Sequence, residues 1–238
     1  MKAKVLLPIA MMLSASAHAG PATDSAGQAP QRVYTYSLEL EPDGSVRQIA
    51  PHGFAADPTS RKLDGEIRNW IFEPVGVSGG NASTRTYLRI VVASDSTEAS
   101  GFEVLSATTG PAPRTLHQPE YPVRDQMQGN EGTVVLELQV GADGLVADAK
   151  VRDVSGRASR AMASSALAAA RDWTFTPELV DGKPVKGTML WPVCYLGQNS
   201  NVADCRWNGP DAQRLSSKTV LTLDPTVRLI SPIALQQP

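Results

Sequence analysis

Residues 117–196 read HQPEYPVRDQMQGNEGTVVLELQVGADGLVADAKVRDVSGRASRAMASSALAAARDWTFTPELVDGKPVKGTMLWPVCYL. Two fixed points organise this stretch. Asp143-Gly144 lies between two strand-like runs, and Trp173-x-Phe175-x-Pro177 follows an alanine-rich helix. In residues 133–140 (TVVLELQV) the apolar content and alternation predict a strong strand, with its hairpin partner over 144–151. Residues 159–172 (SRAMASSALAAARD) predict a helix. Met162, Ala166, Ala169 and Trp173 share one face, with Leu167 and Ala170 beside it. Small alanines let such a helix lie close on a sheet, and Trp173 and Phe175 enter the core as the chain leaves it. Asp181-Gly182-Lys183-Pro184 then turns the chain into a last strand over 186–196.

Working outward, the same order of signals recurs upstream. Tyr36, Leu38 and Leu40 precede Leu136, Leu138 and Val140 by 100 positions, as Asp43-Gly44 precedes Asp143-Gly144. Trp70, Phe72 and Pro74 precede Trp173, Phe175 and Pro177 by 103, as the run 87–92 precedes 190–195. Between them, Asp57 is placed to cap a helix that Pro58 opens, with Leu63, Ile67 and Trp70 on one face. This pattern reads as an internal repeat of one unit: strand, Asp-Gly turn, strand, helix, Trp-x-Phe-x-Pro, turn, strand. Between the units, Phe102, Val104 and Leu105 suit a short strand, and Gly110-Pro111-Ala112-Pro113 reads as a boundary. In the tail, Val220, Leu221 and Leu223 suit an edge strand that Pro225 interrupts.

The chain has 238 residues, 42% hydrophobic and 19% charged, with formal net charge −2 and a pI near 5.9. This fits a soluble globular protein of one or two domains, and it argues against a nucleic-acid partner, which calls for a basic patch. Residues 1–19 carry Lys2 and Lys4, then the apolar run VLLPIAMML, then Ala17-His18-Ala19. That is the order of a secretory signal peptide, and the run is too short for a bilayer span of roughly 20 residues. A mature, exported chain is the expectation. The alternative is an inner-membrane anchor formed by residues 5–19.

Cys194 and Cys205 enclose ten residues rich in turn formers. In an exported protein such a pair reads as a disulfide, closing a loop worth on the order of 3 kcal/mol; two unrelated thiols is the other reading. No catalytic set is visible. The mature chain has only His52 and His117, and neither a nucleophile elbow, a metalloprotease helix motif, a phosphate loop nor a dinucleotide fingerprint occurs. No catalytic residue, metal ligand or cofactor site is assigned, and no small-molecule substrate is expected.

Four strings carry a family resemblance: Gln118-Pro119-x-Tyr121-Pro122, Glu131-Gly132-x-Val134, Asp143-Gly144-x-Val146 and Arg171-x-Trp173-x-Phe175-x-Pro177. With them, the stretch resembles the C-terminal domain of TonB energy-transducer proteins, and residues 32–93 resemble a degenerate copy without the Gln-Pro-x-Tyr-Pro lead. The resemblance implies an α+β fold: two repeats of a small antiparallel sheet with one packed helix, each ββαβ, in the periplasm. It implies a division into a signal peptide at 1–19, a flexible lead at 20–31, a degenerate repeat plus linker at 32–110, a TonB C-terminal-like domain at 111–197 and an extension at 198–238.

It also implies that the partners are TonB-dependent outer-membrane transporters, or other envelope proteins, whose TonB-box-like peptide pairs as an added strand. The partner-binding residues it implies are Gln118, Pro119 and Tyr121, together with Met189, Leu190, Trp191 and Val193. Pro192, within the last strand, removes one donor from that edge. Family energy transducers have an uncleaved N-terminal helix and a long Pro-rich spacer. Here a Ser14-x-x-x-His18 pair stands at the expected cleavage site, and residues 20–31 carry no Glu-Pro or Lys-Pro run. A second possibility is a structural or peptidoglycan-associated envelope module without a transport role, and a third is a membrane-anchored energy transducer.

Overall fold

Alternation along the first strand decides which face is buried. β1 (Gln31–Leu40) buries Tyr34, Tyr36, Leu38 and Leu40 and leaves the residues between them more open. It pairs antiparallel with β2 (Val46–Pro51) on one side. α1 (Pro58–Ile67) begins at a capping box. The Asp57 carboxylate accepts the Ser60 amide at 2.7 Å, and the Asp57 amide donates to Ser60 Oγ at 2.8 Å. Leu63 and Ile67 are fully buried beneath β1, and Trp70 packs partly against the same core. After β3 (Phe72–Pro74), β4 (Thr84–Ser94) pairs antiparallel with β1 over the whole of that strand. The computed structural model describes residues 31–53, 55–75, 82–94, 102–197, 200 and 220–231. The 1–19 leader, the lead up to residue 30, the Gly79-Gly80-Asn81 turn and Cys205 lie outside the described residues.

The second unit has the same order. β7 (Gly132–Val140) lies between β8 (Val146–Gly156) and β12 (Gly187–Tyr195), antiparallel to both. α3 (Arg160–Ala170) covers one face. Its Ser159 cap accepts the amides of Ala161 and Met162 at 3.1 and 3.2 Å. The face it buries is Met162, Ala166 and Ala170, continued by Trp173; Ala169 and Leu167 are only partly covered. That is one residue away from the face read in the sequence. α2 (Val123–Met127) precedes β7, and β9 (Thr174–Thr176) follows α3.

The connecting segments are strands rather than spacers. β5 (Phe102–Gly110) is nine residues long and runs along the outer side of β4. The Gly110-Pro111-Ala112-Pro113 string stands between β5, on the first unit's sheet, and β6 (Ala112–Thr115), which pairs with β9 of the second unit. The tail answers in kind. β13 (Leu221–Thr222) pairs with β12 of the second unit, and β14 (Val227–Leu229) pairs with β3 of the first. A small hairpin, β10 (Leu179–Val180) and β11 (Lys183–Pro184), extends the first unit's sheet through Arg85 and Thr84 of β4. The described residues are therefore mostly β, and the β10–β11 hairpin of the second unit and the tail strand β14 pair with strands of the first.

One buried carboxylate marks the seam. Glu178 is 1% exposed and accepts hydrogen bonds from Thr86 Oγ1 of β4 at 2.6 Å and from Thr226 Oγ1 of the tail at 2.7 Å. Burial pushes its carboxyl above the ordinary range, and the two threonine hydroxyls offset part of that shift.

The Asp-Gly pairs sit in five-residue loops, 41–45 and 141–145, between their paired strands. At Gly44 and Gly144 φ is +84° and +81°, but Asp43 and Asp143 keep negative φ. Each Asp carboxylate instead accepts the amide two residues on, Ser45 at 2.9 Å and Leu145 at 3.0 Å. These are longer loops with one glycine in the left-handed region. Among the described residues, only Asp181 is a non-glycine with positive φ (49°), and with Gly182 (71°) it forms the two-residue turn between β10 and β11. The glycines also meet the other fixed point of each unit. A Cβ at Gly144 would lie 2.2 Å from the Phe175 carbonyl oxygen, and one at Gly44 1.7 Å from that of Phe72. The Phe175 amide donates to the Gly144 carbonyl at 2.8 Å.

Gly144→Ala is expected to cost about 2–4 kcal/mol in urea unfolding, from left-handed strain plus this clash. Gly65→Ala, where a Cβ meets open space on α1, is expected to stabilise by about 0.5–1 kcal/mol. For Glu178 the folded protein holds a proton to higher pH than the unfolded chain. Its contribution to stability therefore falls as pH rises from the ordinary carboxylate range through the raised folded value. In a pH series of unfolding measurements, Glu178→Gln is expected to flatten that fall.

Candidate functional site

The outer edge of β12 is readable from its hydrogen bonds. The Leu223 amide donates to the Thr188 carbonyl at 2.8 Å, and the Thr188 amide donates to Asp224 Oδ1 at 2.5 Å. The backbone of Thr188 thus points away from β7. Pairing with β7 continues without a register shift from Gly187 to Tyr195, so the backbones of Leu190, Pro192 and Cys194 also point outward. The missing N–H of Pro192 therefore falls on the outer edge and takes no bond from β7. β13 fills this edge at Met189 and Leu190, and no described strand pairs with it from Trp191 to Tyr195.

The residue-by-residue placement narrows the chemistry. The side chains of Met189, Leu190 and Val193 are 0%, 1% and 8% exposed, so a partner meets only backbone there. Met189 and Val193 face α3, whereas Leu190 packs with Val135 and Leu221 on the other face of the sheet. Trp191 is half-buried. Its ring lies edge-on to Trp173 and Phe175, 5.6 and 5.7 Å between centroids, and the Arg89 guanidinium of β4 lies 5.9 Å from its centroid. Cation–π attraction here joins the two units.

The lead segment is fastened at each end. Trp173 Nε1 donates to the His117 carbonyl at 2.8 Å, and Ser165 Oγ donates to the Glu120 carbonyl at 2.6 Å. Tyr121 donates its hydroxyl to the Asn130 carbonyl and lies edge-on to Tyr195 of β12, 5.4 Å between centroids. Pro119 is half-buried, and Gln118 alone of the predicted residues presents an exposed side chain. Behind this segment, Asp125 accepts hydrogen bonds from Asn130 Nδ2 at 2.9 Å and Ser159 Oγ at 2.7 Å, which hold its carboxyl below the ordinary range. It ties α2 to the cap of α3.

The lead therefore reaches β12 at Tyr195, whereas Met189 stands six residues up the strand, about 20 Å away at strand rise. The seven predicted residues line a track rather than a pocket. Leu116, Val123 and Met127 add exposed apolar surface in the lead and on α2. Sequence reading missed Thr188, Thr222 and Asp224 at the occupied end of the track. The available signal was the apolar-polar alternation of Val227-Arg228-Leu229 resuming after Asp224-Pro225. Cys205 lies outside the described residues, so the Cys194–Cys205 pairing stays an expectation. Among the described residues, no group of three or more His, Cys, Asp or Glu side chains is placed to hold a metal ion.

Residues 117–196 match the family described as the Gram-negative bacterial TonB protein C-terminal. Protein TonB of Vibrio cholerae serotype O1 is 36% identical over 76 residues, covering 32% of this chain and 30% of that protein. The matched stretch is thus less than a third of that relative's length. The solution NMR structure of the Pseudomonas aeruginosa TonB CTD aligns at 26% identity with a TM-score of 0.32, covering 38% of this chain and 90% of that one. Residues 117–196 are a TonB C-terminal domain. Such domains are periplasmic and non-enzymatic. Among the described residues, no helix is long and apolar enough to cross a membrane.

Trp173→Phe keeps a ring in the core but removes the donor to His117. It is expected to cost about 1 kcal/mol in urea unfolding and to speed amide exchange at Gln118, Glu120 and Tyr121 several-fold.

Proposed function

We propose that this protein is an exported, TonB-like interaction protein. Its domain at 117–196 takes up an extended segment of an outer-membrane transporter, or of another envelope protein, as a strand added beside β12. One observation carries the reading: the outer edge of β12 already accepts a strand, since β13 pairs with it at Met189 and Leu190. Thr188, Leu190 and Cys194 point their backbones toward an incoming segment, and Gln118 offers the side chain nearest the lead. Backbone pairing of this kind binds extended peptides with little demand on side chains. In this reading the 1–19 leader delivers the chain to the periplasm, and a Cys194–Cys205 disulfide closes the chain just beyond β12.

The first unit is read as a degenerate copy of the same domain. Three features support this: the strand order β2-β1-β4 beside β8-β7-β12, the helix capped through Asp57 beside that capped by Ser159, and the glycine-against-phenylalanine contact in both. It has no Gln-Pro-x-Tyr-Pro lead.

A structural envelope module is the second reading, favoured by the chain's own tail filling part of the edge. Calorimetric titration of residues 20–238 with a synthetic TonB-box peptide separates the two. Saturable binding is expected, weakened about tenfold or more when alternate peptide nitrogens are methylated and the ladder cannot form. No binding at high micromolar peptide, with retention on isolated sacculi, selects the structural reading instead.

A further inference from the structure

The tail makes two attachments at once. At its first end, β13 pairs with β12, and Asp224 caps the Thr188 amide. Six residues after Leu221, Val227 pairs with Pro74, followed by Arg228 with Glu73 and Leu229 with Phe72. The Val75 amide donates to the Thr226 carbonyl at 2.7 Å and the Ile230 amide to the Ile71 carbonyl at 2.9 Å. The two attachments lie on different units.

The join between them is stiff and shared. Pro225 fixes one backbone angle within it. Thr109 of β5 contacts both halves, its carbonyl accepting from Thr222 Oγ1 at 2.7 Å and its hydroxyl donating to the Val227 carbonyl. Gly110 lets the β5 backbone approach Thr222 closely, since a Cβ there would lie 1.9 Å from Thr222 Oγ1. Glu178 holds Thr226 from the other side. Each strand pairing alone is short, two residues at β13 and three at β14.

We infer that residues 220–231 are a strap that fills two strand-accepting edges together, and that a strand taken up at β12 opens the second edge, β3 of the first unit. An incoming segment that reaches Thr188 and Leu190 replaces β13. Withdrawing β13 pulls Thr222 from Thr109 and Asp224 from Thr188, and leaves β14 on its three-residue pairing, the bonds of Thr226 to Glu178 and of Thr109 to the Val227 carbonyl, and the buried Val227. With one of its two anchors gone, β14 is easier to exchange, at the β3 edge with the exposed Ile71 beside it and Phe72 within it, for a second extended segment, one that can place an aliphatic side chain where the fully buried Val227 sits. Coupling of this sort is reciprocal: filling either edge in trans weakens the strap at the other. The inference rests on the strand-addition reading for the identity of the first strand.

Hydrogen exchange on residues 20–238 tests it in two arms. With saturating TonB-box peptide, the amides of Val75 and Ile230 are expected to lose about tenfold or more of their protection, while β7 and β8 amides are unchanged. Peptide binding that leaves Val75 and Ile230 as protected as before overturns the strap. If the peptide does not bind, the strand-addition reading fails, and the second arm still decides the coupling without a partner. Val227→Asp places a charge in a buried slot and releases β14. The Leu223 amide, at the β12 end, should then exchange about tenfold faster or more. Asp224→Ala unfastens the other end and is read at Val75 and Ile230, which keeps the test available if the first variant does not fold. Loss confined to the mutated end in either variant overturns the inference.

Discussion

The carbonyl of Phe175 lies so close to Gly144 that no side chain fits between them, and the Phe175 amide donates to the Gly144 carbonyl. This one contact locks the loop of the β7–β8 hairpin to the chain leaving α3. It sets where Trp173 and Phe175 enter the core, and with them the angle at which α3 crosses the sheet. From Trp173 the consequences run on to the lead, through its bond to His117, and to β12, through its contact with Trp191. The same glycine-against-carbonyl approach recurs at Gly44 and Phe72, where the segment that follows α1 accepts the tail.

The placement of β12 makes the edge usable. Its inner side is paired along its whole length, and its alternate side chains are buried under α3. A strand that replaces β13 on the outer side leaves the β7 pairing intact but has to take over the packing of Val220 in the core and of Leu221 against Leu190 and Val135. Pro192 fits this arrangement, since its missing donor faces outward, where it limits how far a ladder can run. In the proposed function, a site built from backbone and half-buried aromatics gives general affinity for extended segments and leaves selectivity to the exposed Gln118 and to the apolar side chains near the lead.

Much of the architecture was legible because local signals dominate it. Alternation in β1 and β7, the Asp57 and Ser159 caps and the alanine-rich face of α3 are decided within a few residues of sequence. The Asp-Gly pairs were legible as turns but not as a turn type. Their geometry depends on the distant phenylalanine carbonyl, which no local pattern reports. The docking of β10–β11 and β14 on the first unit was not legible for the same reason. Two- and three-residue strands carry little periodicity. At the site, residue types were readable by resemblance, whereas the burial of Met189, Leu190 and Val193 and the occupation of the edge follow from packing that only the assembled fold supplies.

The account turns on which edge of the second unit meets a partner. Photo-crosslinking in intact cells addresses this directly, with a photoreactive residue placed at Gln118 beside the lead or at Lys150 on β8, the opposite edge of the same sheet. Adducts with an outer-membrane transporter from position 118 and none from position 150 are the predicted result. Transporter adducts from position 150 alone, or the absence of any transporter adduct from position 118, would contradict it.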